Sequence, residues 1–400
     1  MEKRKWYSLI DKVWRIDNLE KATAMVVKNA GAAGVDRQST EDFLANKEMH
    51  LQEISRKLRE KRYEPQPVRT VEIPKDNGKS RILGIPSVRD RVVQQSLRNV
   101  LEPIFETKFK DCSYGFRPNR NCHQAIAKVD EYIKAGNLWA VKVDIENFFD
   151  SINHEMLIDQ VAEEVSDGSI LKLIRAFLTS GTMKEGEFFE KTEGTPQGGV
   201  ISPLLANIFL HPFDEALVQQ NFNLVRYADD SILLCSSEEE ADRAITATLS
   251  VLAKLKLKAN LSKTRKVQLA DLEGTEFLGF LITAIYKFPR TKAVNKFKEK
   301  VRSKTRRTAP VSLKELIANL NPVIRGYGNY FKVGNSYKTF ERLDQWIRMR
   351  LRCFIEKRKS YNANYRLRNK MFEANGLISL LSLLKPTPCN GATTSESRMR

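Results

Sequence analysis

Two neighbouring carboxylates, Asp229 and Asp230, interrupt an otherwise apolar run, Leu224-Val225-Arg226-Tyr227-Ala228-Asp229-Asp230-Ser231-Ile232-Leu233-Leu234. Successive side chains of a strand point to opposite faces and adjacent like charges repel, so such a run has no physical reason to hold both acids unless cations neutralise them. The pattern predicts a buried hairpin with the acids at its tip. A second β-branched strand, Trp139-Ala140-Val141-Lys142-Val143-Asp144-Ile145, delivers Asp144 at its end before a turn rich in Asn and Phe. Three carboxylates from two strands are the donor set that hard divalent cations need. Two such ions about 3.5–4 Å apart stabilise both the attacking and the leaving oxygen of a phosphoryl transfer. A lone Asp-Asp pair is ordinarily a solvated loop tip, and here the flanking strands and Asp144 argue against that reading.

Charge is distributed unevenly. Residues 281–400 carry 27 Lys/Arg against 7 Asp/Glu, whereas residues 1–280 carry 40 against 42, so the net charge of +18 lies in the last third. This predicts a nearly neutral body joined to a basic, nucleic-acid-binding segment. The 400 residues exceed what one core usually serves. No apolar stretch approaches the roughly 18 residues of a membrane span, and the charged N-terminus lacks a secretory apolar region, so no membrane partner and a cytoplasmic location are expected. The five cysteines are scattered and never paired as CxxC, which indicates neither a disulfide framework nor a zinc ribbon.

Along the chain, residues 1–66 read as helical pieces broken by small residues at 29–36. Val68–Pro74 and Arg81–Leu83 read as a hairpin around Asp76-Asn77-Gly78, and 88–106 as a helix. Phe277–Ile282 reads as a third strand. Basic helices follow at about 291–308, 312–326 and 337–359, the last combining Arg348, Arg350 and Arg352 with Lys357, Arg358 and Lys359. From Lys385 onward the chain reads as a polar tail.

Tyr227-Ala228-Asp229-Asp230 resembles the signature hairpin of reverse transcriptases. Val143-Asp144-Ile145-Glu146-Asn147-Phe148-Phe149-Asp150 resembles the motif bearing their first catalytic Asp, and Gly194-Thr195-Pro196-Gln197-Gly198-Gly199 through Asn207 resembles the template-and-nucleotide motif between them. Arg81-Ile82-Leu83-Gly84-Ile85-Pro86 and Ser113-Tyr114-Gly115-Phe116-Arg117-Pro118-Asn119-Arg120 are similar to the fingers of group II intron-encoded reverse transcriptases, or maturases. The resemblance implies an α+β right-hand polymerase, with fingers and palm built of antiparallel sheet plus helices and a helical thumb. Its expected divisions are 1–66 (N-terminal extension and early fingers), 67–285 (fingers and palm), 286–360 (thumb, or maturase domain X) and 361–400 (a short basic region and polar tail). It implies RNA-directed DNA synthesis from a DNA or RNA primer on an RNA template with dNTPs, together with binding of structured intron RNA that assists splicing and retrohoming.

Carried over by motif, Asp144, Asp229 and Asp230 are expected to bind two Mg²⁺ ions, with Mn²⁺ as a substitute and the Ile145 carbonyl as a further ligand. Lys75 and Arg81 would grip the triphosphate. Phe149 would lie under the sugar and exclude a 2′-hydroxyl, Gln197 would contact the nucleotide or templating base, and Lys263 would act as general acid near the pyrophosphate. Arg117, Gly279 at a primer grip, and Arg348, Arg350 and Arg352 on the thumb would contact nucleic acid. The paired cysteines and histidines of the nuclease found in longer relatives are lacking beyond residue 360, so cleavage of target DNA is not expected. Two rival readings are a domesticated relative serving phage defence, DNA repair or CRISPR adaptation, and a splicing cofactor without polymerase activity. The three clustered carboxylates argue against the second, since a pure RNA binder has no physical need of them.

Overall fold

Apolar residues at helical spacing, interrupted by Asn, Ala and Gly, fold the N-terminus into α1 (Ile10–Trp14), α2 (Ile16–Asn29), α3 (Thr40–Ala45) and α4 (Lys47–Arg59). A capping box between Ser39 and Asp42 starts α3. The computed structural model describes residues 5–74, 80–184, 186–271, 273–357 and 367–384. The chain divides between Lys266 and Val267 into two units. By sequence the first holds 40 basic and 39 acidic residues and the second 27 and 10.

In the first unit, β1 (Val68–Pro74) and β2 (Ser80–Ile85) pair antiparallel in the register Arg69↔Ile85 to Pro74↔Ser80. Residues 75–79 between them, with Lys75, lie outside the described residues. Helices α5 (Val88–Glu106) and α6 (Cys122–Lys134) precede β3 (Trp139–Asp144); α7 (His154–Ala162) and α8 (Gly168–Thr179) follow it. A hairpin absent from the sequence reading, β4 (Thr182–Lys184) and β5 (Glu187–Phe189), joins β1 through a parallel pairing and gives the order β2-β1-β4-β5. Its strands have three residues each, too few for alternation to register. Helix α9 (Ser202–Gln219) leads into the hairpin β6 (Asn223–Tyr227) and β7 (Asp230–Cys235), then α10 (Glu238–Lys254) and β8 (Arg265–Gln268), in which the unit ends. The second sheet has the order β6-β7-β3-β8. One apolar core runs from Leu9, just before α1, to Leu257 after α10, and Val141, Val143, Leu224 and Leu233 carry the inner face of this sheet into it.

The second unit holds a three-stranded sheet, β9 (Thr275–Phe277), β10 (Phe280–Ile282) and β11 (Lys287–Pro289), in the order β11-β10-β9. The expected single strand over 277–282 is thus a hairpin: Leu278 and Gly279 form its turn, with φ of 47° and 80°. Gly279 therefore makes a two-residue turn rather than a kink within a strand, and this left-handed geometry suits glycine. Helices α11 (Thr291–Lys304), α12 (Leu313–Phe331), α13 (Tyr337–Ile355) and α14 (Asn369–Ala374) complete the unit. Helix α12 continues past the expected end at 326 because Ile324, Gly328 and Phe331 remain on its buried face, and burial outweighs the poor helix propensity of Gly and Pro. Helix α13 ends at Ile355, so Lys357 lies beyond it with φ of 53°. Arg358 and Lys359 are outside the described residues, as is the tail from Lys385. No helix among the described residues is long and apolar enough to cross a membrane.

Candidate active site

The β3–β7 ladder sets Asp144 directly opposite Asp230, and the β6–β7 hairpin pairs Tyr227 with Asp230, which leaves Ala228 and Asp229 as its two-residue turn. Ala228 adopts φ of 58° there, a left-handed conformation that costs a non-glycine residue energy and needs support from its surroundings. All three expected carboxylates therefore sit at one end of the sheet on adjacent strands.

Two lysines engage this cluster. Lys263 donates to Asp144 Oδ2 at 2.9 Å, and Lys142, two residues before Asp144 on the same face of β3, lies 3.6 Å from Asp230 Oδ1. Burial raises the Asp230 pKa, and the charges of Asp229 and Asp144 add to the effect against the opposing pull of Lys142. Among the described residues no three carboxylate, imidazole or thiol groups are drawn into one coordination shell. The donors nevertheless suit a hard divalent ion: they are carboxylate oxygens, and ammonium groups now supply the positive charge that the cluster needs. Lys142 was missed in the sequence reading, where its position two before Asp144 was the available signal.

Residues around the cluster are tied to it by main-chain bonds. Ile145 pairs with Ala259, its side chain in the core, while the Asp144 carbonyl accepts from the Asn260 amide at 2.8 Å. Phe149, on a short 3₁₀ turn, is half-buried and meets Phe148 edge-on at 5.2 Å. Its carbonyl accepts from the Thr195 amide at 2.7 Å, which docks the Gly194–Gly199 loop beside the turn after Asp144. The Gln197 carbonyl accepts from the Gly84 amide of β2 at 2.7 Å. Gln197 lines a cavity of about 340 Å³ with Thr70, Ile82, Asp150, Lys191 and Pro196. The Arg81 main chain pairs with Ile73.

Several expected nucleic-acid contacts are occupied within the protein. Arg117 is a correction: its side chain is 3% exposed, its guanidinium pairs with Glu106 at 2.7 Å, and it donates to the carbonyls of Lys110 and Ser113. A buried, partnered guanidinium has no free face for a phosphate. Arg350 donates to the Thr305 hydroxyl and carbonyl, and Arg352 to the Leu367 carbonyl and the Asn369 amide oxygen while its guanidinium covers the Phe372 ring. These two bind the helical unit together, a role that the triplet spacing concealed. Arg348 lies half-exposed on α13. Trp346 lies beneath Lys298 and Arg302, and the Tyr330 hydroxyl donates to the Leu278 carbonyl beside Gly279.

A network absent from the sequence reading lies behind the acidic turn. Arg226, wholly buried, donates to both carboxylate oxygens of buried Asp214 at 2.6 and 2.5 Å, to Asn207 Oδ1 at 3.1 Å, to Ser113 Oγ at 2.8 Å, and to the carbonyl of Ala228 at 2.8 Å. Burial works against the charge of Arg226, but the paired Asp214 outweighs it and holds the pKa above its ordinary value. The signal in the sequence was a charged residue inside an apolar strand, with an acid twelve positions earlier inside an apolar helix.

Comparison with known proteins agrees with this architecture. Residues 73–282 match the family described as reverse transcriptase (RNA-dependent DNA polymerase), and residues 294–372 match the group II intron, maturase-specific domain. Protein YkfC of Escherichia coli is 34% identical over 291 residues, 63% of this chain and 76% of that protein. The group II intron-encoded protein LtrA of Lactococcus lactis is 37% identical over 206 residues, 51% of this chain and 34% of that protein. A chain of a partial Cas6-RT-Cas1–Cas2 complex is 25% identical with a TM-score of 0.39, covering 62% of this chain and 42% of that one. With a reverse transcriptase domain over more than half its length and a maturase-specific domain after it, the chain belongs to the group II intron-type reverse transcriptases.

Proposed function

We propose that this protein extends a DNA or RNA primer on an RNA template with dNTPs, using Asp144, Asp229 and Asp230 to hold two Mg²⁺ ions, with the Ile145 carbonyl as an additional ligand. The observation that carries the reading is the register Asp144↔Asp230 with Asp229 in the adjoining turn, three hard oxygen donors at one sheet end. When bound there, the metal ions would offset the negative charge that grows on the phosphoryl oxygens and on the attacking and leaving oxygens. The chain's own residues do the rest. Phe149 packs where a ribose 2′-hydroxyl would clash, and Gln197 orients the nucleotide from a loop anchored to β2. Lys75 and Arg81 hold the triphosphate, and Lys263 delivers a proton toward the leaving pyrophosphate.

The basic second unit supports a further role in binding primer–template and structured intron RNA, through Arg348 on α13 and the turn at Gly279, and in assisting splicing and retrohoming in the cytoplasm. RNA helices are recognised mainly by shape and backbone charge, which a lysine- and arginine-rich helical surface supplies. The deciding experiment is primer extension on an RNA template by the parental protein and by Asp229→Asn at matched folding. The parental protein extends the primer, and the variant loses at least about a thousandfold in rate, as expected when a phosphoryl-transfer metal ligand is removed. Extension by the variant at the parental rate refutes the assignment.

A further inference from the structure

The hairpin turn that carries Asp229 places a non-glycine residue in the left-handed region. It contains only Ala228 and Asp229, and Ala228 sits at φ of 58°. The residue that meets its carbonyl is Arg226, whose five side-chain hydrogen bonds gather three separate stretches of chain. These are Ser113 in the segment before α6, Asn207 and Asp214 on α9, and the turn itself. The first stretch is locked to the hairpin by main-chain bonds as well: the Arg226 amide donates to the Cys112 carbonyl and the Tyr114 amide to the Arg226 carbonyl, each at 2.8 Å. Two residues further on, a Cβ at Gly115 would lie 2.3 Å from the Ala228 nitrogen, so the backbone of 113–115 forms a wall against the turn that only glycine permits. Asn207 joins the two supports, accepting from Arg226 and donating to the Gly115 carbonyl at 2.9 Å.

We propose that Arg226 is a positioning residue for polymerisation: by donating to the Ala228 carbonyl while clamped by Asp214, Ser113 and Asn207, it fixes the strained turn that presents Asp229 beside Asp144 and Asp230. The inference rests on the proposed role of these carboxylates in metal binding. It gives the Ser113–Gly115 stretch of that motif a role in bracing the site from behind. A buried ion pair is itself weak evidence of stabilisation, because well-packed apolar pairs often replace one without loss of stability. What an apolar pair cannot do is donate to the Ala228 carbonyl.

That difference provides the test. The double variant Arg226→Met/Asp214→Leu keeps side-chain volume and removes both charges together, and Arg226→Lys keeps the charge but loses the fork. Each is compared in the full-length protein for thermal unfolding, primer–template affinity, Mn²⁺ binding by electron paramagnetic resonance without nucleic acid, and single-turnover incorporation. Folded variants are expected to bind Mn²⁺ at least about tenfold more weakly and to lose about 30- to 100-fold in kcat, with the dNTP KM within about threefold, because a displacement near 1 Å at reacting groups costs about a hundredfold. A folded variant with parental Mn²⁺ affinity and rate overturns the proposal. Should neither fold, Asn207→Ala leaves the ion pair intact while removing one clamp on the guanidinium and the bond to the Gly115 carbonyl; weaker Mn²⁺ binding at an unchanged unfolding temperature supports the inference, and unchanged binding overturns it. Asp229→Asn is the control: if it remains active, the metal-site reading itself has failed, and if it is inactive while the Arg226 variants are parental, only the positioning role has.

Discussion

Lys263 and Asp144, 119 residues apart in sequence, are joined by a hydrogen bond of 2.9 Å at the end of the β6-β7-β3-β8 sheet. The lysine is largely exposed, so the pair contributes only about 0.2–1 kcal/mol. A divalent ion must displace it to reach that oxygen. Lys263→Met should therefore lower the half-saturating Mg²⁺ concentration by up to about fivefold, since about 1.4 kcal/mol corresponds to a factor of ten. The same variant should lose about a hundredfold in single-turnover rate if Lys263 supplies the proton. A metal titration followed by rapid-quench incorporation separates the two effects, and a parental rate leaves Lys263 as a counter-charge only.

Asp230 carries the clearest burden of the cluster, being pressed by burial and by two neighbouring carboxylates. Asp230→Asn should raise the unfolding temperature in metal-free buffer by a few degrees, because about 1 kcal/mol of relieved repulsion shifts the midpoint of a unit this size by roughly 2–4 °C. It should also abolish extension and the added stability conferred by Mg²⁺. Differential scanning calorimetry with and without the metal reads all but the extension, and a metal-dependent rise equal to the parental one removes Asp230 from the ligand set.

Phe149 is half-buried, meeting Phe148 edge-on at the margin of the core. Replacing it with Val should raise incorporation of ribonucleotides relative to deoxynucleotides by at least about tenfold, while the lost burial costs about 1–2 kcal/mol of stability. Competition between rNTP and dNTP at matched folding is the measurement. An unchanged ratio would reduce the ring to a packing role.

The three arginines of α13 should separate. Arg348→Gln should flatten the salt dependence of duplex binding by about one phosphate contact, close to 0.9 in the logarithmic slope, with little change in stability. Arg350→Gln should leave the slope alone and lower the unfolding temperature, since its guanidinium ties α13 to Thr305 at the end of α11. Affinities at four or five salt concentrations, paired with melting curves, distinguish these outcomes.

The N-terminal helices should lose stability in mild acid. His50 is stacked on Phe43, and burial and then the charge of Arg89 hold its pKa below 6.5. The unfolded chain therefore takes up the proton first. Its contribution is fully present above pH 6.5 and is lost as the pH falls below that value. His50→Gln should flatten the decline of unfolding temperature between pH 7.5 and 5.5 relative to the parental protein; an identical decline would show that other groups govern it.

What could be read in advance follows physical range. Asp144, Asp229 and Asp230 stand out because charges within apolar strands violate a local pattern, and α5 and the β1–β2 hairpin follow from periodicity and turn chemistry. The partners of Arg226 did not follow, because Ser113, Asn207 and Asp214 come from segments whose proximity only the fold creates. Arg117 misled for a related reason: its motif suggested a binding surface, whereas its chemistry serves the interior. The packing of residues 367–384 was equally hidden, since it depends on Asp344 accepting from the Ser379 hydroxyl and the amides of Leu380 and Leu381. The Leu-rich stretch that docks there, Leu377–Leu384, is too short for a period to register.

The bond between Arg226 and Ser113 spans 113 residues, and that between Lys263 and Asp144 spans 119. Loop closures of this length are slow to form, since their entropy must be spent before any contact rewards it. During synthesis at about 5–20 residues per second, neither can close until its later residue has left the ribosome, by which time α1 to α6 have had several seconds to collapse around their own apolar faces. The strand ending in Asp144 waits through that interval without β7, its hydrogen-bonding edge unpaired on that side. The reaction centre is thus the last part of the first unit to exist, and a nascent chain halted before Arg226 carries the early motifs as a helical core with an open strand edge, a substrate for chaperones rather than for nucleotides.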